Sequence, residues 1–291
     1  MKRTKKTTPP DPAPPTTNDG ILDALRDAGI AVDEAAVSRV STGIPDLDEV
    51  LGGGVAKGRI IEVFGPESAG KTTLALTLAS ALAADDPSKS VVYIDAEHAV
   101  SPDQIRRLFP DTSRFVLVQP DSLEDAFNAV SKVLQTGKRL ASVFVIDSIA
   151  ALSPKAEIDG ETGEMHVGLH ARLIGASLRR VKTLLAREES VLICINQLRS
   201  KIGVMFGNPE TTPGGNALKF YASHRLDVRI DDRGGMKSGI GDSKPVSVGN
   251  VISVKAVKNK VGEPYKQCLL NLRWGAGVEA RNTRKKKEVD E

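Results

Sequence analysis

Short apolar, β-branched runs alternate with longer stretches of helical spacing along this chain. Residues 59–64, 90–94, 142–146 and 191–195 are dominated by Val, Ile, Leu and Phe, the form of central strands buried on both faces. Between them, residues 73–84 run through Leu, Ala and Thr without a breaker. Residues 124–134 and 169–187 carry apolar positions at helical spacing. From residue 40 onward the two patterns alternate in the βαβ manner. The prediction is an α/β fold, a mostly parallel central sheet with helices on both faces. Nearer the N-terminus, Ile21, Leu22, Leu25 and Ile30 predict one short amphipathic helix ending near Gly29. The polar, Gly-rich residues 232–242 predict the loop of a late hairpin.

Composition sets limits around that frame. Residues 1–17 hold five prolines together with Lys2, Arg3, Lys5 and Lys6, and show no apolar periodicity. Such a segment is expected to be disordered. Residues 281–287 form a second basic run. The expected organisation is a tail over 1–20, a helical element over 21–39, a core over 40–277 and a charged tail over 278–291. No apolar run approaches membrane-spanning length and no hydrophobic signal core opens the chain, so no membrane association is expected. Cys194 and Cys268 give neither a disulfide framework nor metal-ligand spacing, which fits a reducing cytoplasm. A net charge of +3 says little about nucleic acid. No internal repeat is present.

The strongest chemical signal lies between the first strand and its helix. Gly65, Pro66, Glu67, Ser68, Ala69, Gly70, Lys71 and Thr72 match the G-x-x-x-x-G-K-[ST] phosphate loop in its strand–loop–helix setting. Glycine lets successive amides turn inward, making a concave anion site at a helix N-terminus. Lys71 is then expected to reach the β- and γ-phosphates, and Thr72 to offer its hydroxyl to Mg²⁺. The chain is expected to bind a nucleoside triphosphate. The run 143–147 is an apolar strand ending in Asp147, the form that holds Mg²⁺ through water in such sites. Asp95 and Glu97, with His98, follow another strand. One of these acids is placed to polarise the water attacking the γ-phosphate, and the spacing does not choose between them. Asn196 and Gln197 end a strand in polar amides that either sense the γ-phosphate or cap a turn.

Residues 201–216 are the oddest segment. Ile202, Val204, Met205 and Phe206 sit among glycines and prolines that break helices and central strands. Two readings stand. Unstacked bases cover these side chains, with Lys201 and Arg199 serving phosphates, or the segment is an edge strand docked in the core.

At these residues the sequence resembles the bacterial RecA recombinases. The resemblance rests on residues 41–43 and 46–54, the phosphate loop with Thr73, residues 94–98, Asp147 with Ser148, and residues 155–158, 196–216, 219–222 and 257–260. It covers residues 40–277, and the segment around Phe206 is its most specific part. It implies a RecA-like P-loop ATPase core that hydrolyses ATP with Mg²⁺, forms helical filaments of its own copies on single-stranded DNA and pairs it with duplex DNA. By resemblance, Glu97 is the general base, and Gln197 reports the γ-phosphate to the loop that follows. Ile202, Val204, Met205 and Phe206 lie in a second DNA loop, where Gly214, Gly215 and Asn216 meet phosphates. Residues 157–168 form a first DNA loop, and Arg172 and Arg179 contact the strand backbone. Lys258 and Lys260 reach the γ-phosphate held by the neighbouring subunit, and Trp274 falls near the neighbour's adenine. Ser101 and Gln104 stand where the family has an Asp and a Tyr around the adenine. Where the family has a long N-terminal helix, a Pro-rich basic tail and a short helix are expected here, and no counterpart of its C-terminal DNA-gathering domain is expected. Other classes that share the core are a RecA-fold motor and an ATP- and DNA-binding filament accessory without strand exchange.

Overall fold

The computed structural model describes residues 17–28, 37–109, 111–160, 168–200, 210–238 and 246–281. The chain divides into two units, residues 1–36 and 37–291. The first holds one described element, helix α1 (Thr17–Asp27), which begins before the predicted Ile21.

The second unit opens with β1 (Arg39–Val40), α2 (Pro45–Leu51), β2 (Val55–Ala56), β3 (Ile60–Gly65) and α3 (Lys71–Asp85). It continues through β4 (Ser90–Asp95), α4 (Pro102–Leu108), β5 (Phe115–Val118), α5 (Leu123–Gln135), β6 (Ala141–Asp147), α6 (Lys155–Asp159), α7 (Leu169–Glu188) and β7 (Val191–Gln197). The last elements are β8 (Arg199–Ser200), β9 (Glu210–Thr211), α8 (Ala217–Tyr221), β10 (His224–Ser238), β11 (Val246–Asn259), β12 (Gln267–Arg273) and β13 (Gly277–Ala280).

A nine-stranded sheet runs in the order β13-β12-β11-β10-β3-β7-β6-β4-β5. Pairing is parallel from β10 to β5 and antiparallel from β10 to β13. The four apolar runs are its central strands, buried on both faces because each face carries helices. One face packs Leu47, Leu74, Leu78 and Ile105 of α2, α3 and α4. The other packs Phe127, Val130, Ile174 and Leu178 of α5 and α7. Register lines up the strand ends: Gly65 pairs with Gln197, and Asp95 with Asp147. The carboxyl ends of parallel strands are where such sheets bind ligands.

Two boundaries differ from expectation. The predicted hairpin is present, but β10 runs to Ser238, well into the segment read as loop. An antiparallel partner satisfies the backbone hydrogen bonds of a polar segment, so polarity alone does not end a strand. The sheet also continues past 277. Val278 is buried beside β12, and its amide donates to Thr77 Oγ1 at 3.2 Å, so residues 278–280 belong to the sheet rather than to the tail.

His224 fastens the start of β10. Its fully buried ring places Nε2 3.1 Å from the Leu51 carbonyl, so Nε2 carries the proton. Burial first, with Arg39 and Arg59 nearby, lowers its pKa from 6.5 to about 4. The fold therefore keeps the neutral ring, while the unfolded chain takes a proton below its ordinary value. Stability is full above about 6.5 and declines as pH falls toward about 4, by about 1.4 kcal/mol per pH unit for one such group. His224→Gln is expected to flatten that part of the urea-denaturation profile.

Candidate nucleotide site

The phosphate loop leaves β3 at a point where the sheet tolerates no side chain. A Cβ on Gly65 would stand 2.1 Å from the Val228 carbonyl oxygen of the neighbouring strand. Gly70, at φ +89°, turns the chain into α3, and a Cβ there would collide with Leu272 at 2.1 Å. Glycine is thus a packing requirement at Gly65, where the obstacle is backbone, and a conformational one at Gly70.

A cavity of about 380 Å³ opens over the loop, lined by Glu67, Ser68, Gly70, Lys71, Thr72, Thr73, Glu97, Asp147, Gln197 and Trp274. Lys71 is buried and donates to the Pro66 carbonyl at 2.6 Å. Burial lowers its pKa, against the opposing pull of Asp147, Glu97 and Glu67. Ala69 packs in the core beneath the loop. Thr72 Oγ1 donates to Asp147 Oδ2 at 2.7 Å, and so does the buried Tyr93 hydroxyl, also at 2.7 Å. Burial raises the Asp147 pKa, while these two donors oppose it. Burial and the Asp147 charge raise the Tyr93 pKa, so the phenol stays a neutral donor.

Thr72 and Asp147 are hard oxygen ligands that converge on one point, and the donor set fits Mg²⁺ shared with phosphates. Among the described residues no three Asp, Glu, His or Cys side chains gather as a metal cage. A cation held through one or two protein oxygens and a polyphosphate needs none.

The two acids left open by spacing have different surroundings. Asp95 is buried and accepts from the amides of Ala99 at 3.2 Å and Val100 at 3.4 Å, which ties it to its own loop. Glu97 lines the cavity, and its Oε1 accepts from Ser148 Oγ at 2.5 Å and Gln197 Nε2 at 2.9 Å. His98 is exposed at φ +54°, in the bend that turns those amides toward Asp95.

Trp274, which the resemblance places near a neighbour's adenine, lines the cavity of its own chain, half open to solvent. Sequence reasoning missed Asn250 and Leu272 on the same wall. Neither carries a local motif; both arrive on strands of the antiparallel half. A second cavity of about 290 Å³ shares Thr73 and is lined by Ser101, Asp103, Gln104 and Arg107. Ser101 is committed there, accepting from the Gln104 amide at 3.2 Å as the N-cap of α4.

Other expected residues lie elsewhere. Lys258 Nζ donates to the carbonyls of Lys219 at 2.5 Å and Phe220 at 3.1 Å, and Lys260 Nζ to Phe220 at 3.1 Å. Both lysines thus sit at the C-terminus of α8 and neither lines the nucleotide cavity. Burial, then Lys260 and Arg225, lower the Lys258 pKa. Arg172 and Arg179 are exposed on α7, where Arg179 Nε donates to the Tyr221 hydroxyl at 3.2 Å. Arg199 is exposed in β8, opposite Thr211. Gly214 and Gly215 lie against Ile174 and Ala171 of α7, and Asn216 stands at the N-terminus of α8 without a side-chain cap bond. Lys201, Ile202, Val204, Met205 and Phe206, most of the first expected DNA loop and most of both expected tails lie outside the described residues.

The RecA N-terminal domain family model matches residues 24–279. Protein RecA of Clostridium perfringens (strain 13 / Type A) is 48% identical over 240 residues, 82% of this chain and 65% of that protein. Protein RecA of Clostridium botulinum (strain Eklund 17B / Type B) is 46% identical over 243 residues, 83% of this chain and 65% of that protein. For Streptococcus gordonii (strain Challis) the figures are 46% over 246 residues, 84% and 62%. The chain thus spans less than two thirds of the length of these relatives. The crystal structure of the RadB recombinase aligns with a TM-score of 0.60 at 21% identity, covering 83% of this chain and 99% of that one. That likeness concerns the fold.

Proposed function

The chain belongs to the RecA N-terminal domain family, and we propose that it is an ATP-hydrolysing recombinase that assembles on single-stranded DNA and pairs it with homologous duplex. One observation carries the reading: Gln197 ends β7 with its amide on Glu97 in the cavity, and the segment toward Gly214 begins there. A residue so placed feels the terminal phosphate and moves the backbone that follows.

In this reading Lys71 and the loop amides hold the triphosphate. Glu97 takes a proton from the attacking water, with Oε2 left open among the described residues and Oε1 oriented by Ser148 and Gln197. Mg²⁺, held by Thr72 and Asp147 with the phosphates, supplies charge neutralisation when bound. Trp274 offers an aromatic face to the base. Arg172, Arg179, Arg199 and Lys201 serve DNA phosphates, while Ile202, Val204, Met205 and Phe206 meet bases and Gly214, Gly215 and Asn216 meet the backbone.

The direct test is ATP turnover by the full chain with and without single-stranded DNA. A severalfold rise with DNA is expected, and equal rates would reject the reading. Lys258 and Lys260, away from their own cavity, are assigned to the phosphates of a neighbouring copy in an open, head-to-tail assembly. Lys258→Ala with Lys260→Ala should spare ATP binding and remove DNA-stimulated turnover. Mixed with Glu97→Ala protein, it should regain part of that turnover, because some junctions then hold an intact acid and intact lysines. Co-assembly without recovery would place the lysines elsewhere.

A further inference from the structure

Behind the nucleotide cavity the sheet encloses a chain of polar side chains that the hydrolysis chemistry does not use. Glu62 in β3 is fully buried. A buried carboxylate is costly unless it is paired and hydrogen-bonded, and Glu62 is both. Its Oε2 pairs with Arg225 Nε of β10. Its Oε1 accepts from Asn196 Nδ2 at 3.2 Å. Asn196, also fully buried, donates again from Nδ2 to the Pro213 carbonyl at 3.1 Å, and its Oδ1 accepts from the Gln197 amide at 3.1 Å.

The ends of this chain lie in three functional places. Gln197 reaches Glu97 in the cavity. Pro213 directly precedes Gly214, Gly215 and Asn216. Arg225 sits over the Phe64 ring at 4.6 Å and pairs in register with Lys258. One carboxamide thereby joins the end of β7, the return of the DNA segment and, through Glu62, the cationic face of β10 and β11. Only a group that donates and accepts can fill this position. A carboxylate there would oppose Glu62, and an apolar side chain would orphan the Pro213 carbonyl and the Gln197 amide.

We propose that Asn196 is the positioning residue that couples the nucleotide cavity to the DNA segment, with the Glu62–Arg225 pair as its fixed anchor. A shift of Gln197 on meeting a terminal phosphate pulls on Asn196 and, through it, on Pro213. The inference rests on the recombinase reading and adds to it the route by which the two sites communicate.

The test is steady-state ATP turnover of the full chain with and without single-stranded DNA. Asn196→Ala is expected to keep the DNA-free KM for ATP within about threefold. Its stimulation by DNA should fall by about tenfold or more, and its DNA affinity should cease to depend on nucleotide. Unchanged stimulation, or a proportional loss of basal and stimulated turnover, would overturn the proposal. A second variant guards against misfolding. Asn196→Asp combined with Glu62→Gln keeps a hydrogen bond between the two positions with its polarity reversed, and leaves nothing to donate to Pro213. This pair should melt below the parent but still cooperatively, and the folded protein should lack DNA stimulation; retained stimulation would overturn the coupling role. A parent without any DNA stimulation would overturn the recombinase reading and this inference together. A stimulated parent with equally stimulated variants would overturn this inference alone.

Discussion

Lys71→Ala is expected to abolish nucleotide binding and turnover together. The cavity already presents Glu67, Glu97 and Asp147 to a polyanion, and Lys71 is the basic side chain lining it. Burial lowers its pKa, and those same acids oppose the shift in favour of the ammonium form. Removing it leaves carboxylates facing phosphates in a partly desolvated space, where like-charge repulsion is screened poorly. Loss of one preorganised charge of this kind costs about 10²–10³-fold in rate, and the loss of binding adds to it. Calorimetric titration with ATP, beside a melting curve to show that the fold is kept, makes the measurement. Affinity within about threefold of the parent would contradict the assignment.

Glu97→Ala separates binding from chemistry. Its carboxylate bonds Ser148 and Gln197 rather than holding the loop, so ATP affinity should stay close to the parent's. Turnover should fall by about 10²–10⁴-fold, the usual worth of a general base. Asp95→Ala should behave in the opposite way. That carboxylate accepts two loop amides, so its removal should lower the melting temperature, with a cost of about 0.5–2 kcal/mol by analogy with a lost cap. If Glu97→Ala turned over ATP as fast as the parent, the base would lie elsewhere.

The core was legible because its signals are local. Residues 60–65 are buried on both faces and apolar but for Glu62, and the loop–helix junction needs glycine where the chain turns, so strand, loop and helix declare themselves over a few consecutive positions. Asp147 was legible as the polar end of an apolar strand. The choice between Asp95 and Glu97 was not legible from spacing, and the resemblance alone named Glu97, because the surroundings of each acid depend on which carboxylate its own loop folds back to meet. Asn250, Leu272 and Trp274 were beyond pattern reading for another reason. They join the wall only because β10 pairs parallel with β3 and carries the antiparallel strands β11 and β12 with it. The same pairing brings Arg225 onto Glu62, and neither residue has a signature in the sequence. Residues 278–280 read as tail because Val278 is the one large apolar side chain there, and its neighbours at period two are only Ala276 and Ala280.

Electron microscopy of the full chain on single-stranded DNA with a slowly hydrolysed ATP analogue tests the central claim most directly. An ATPase whose lysines serve the next copy's phosphates predicts extended, striated helical filaments that require both nucleotide and DNA. Closed rings, or particles unchanged by DNA, would contradict it.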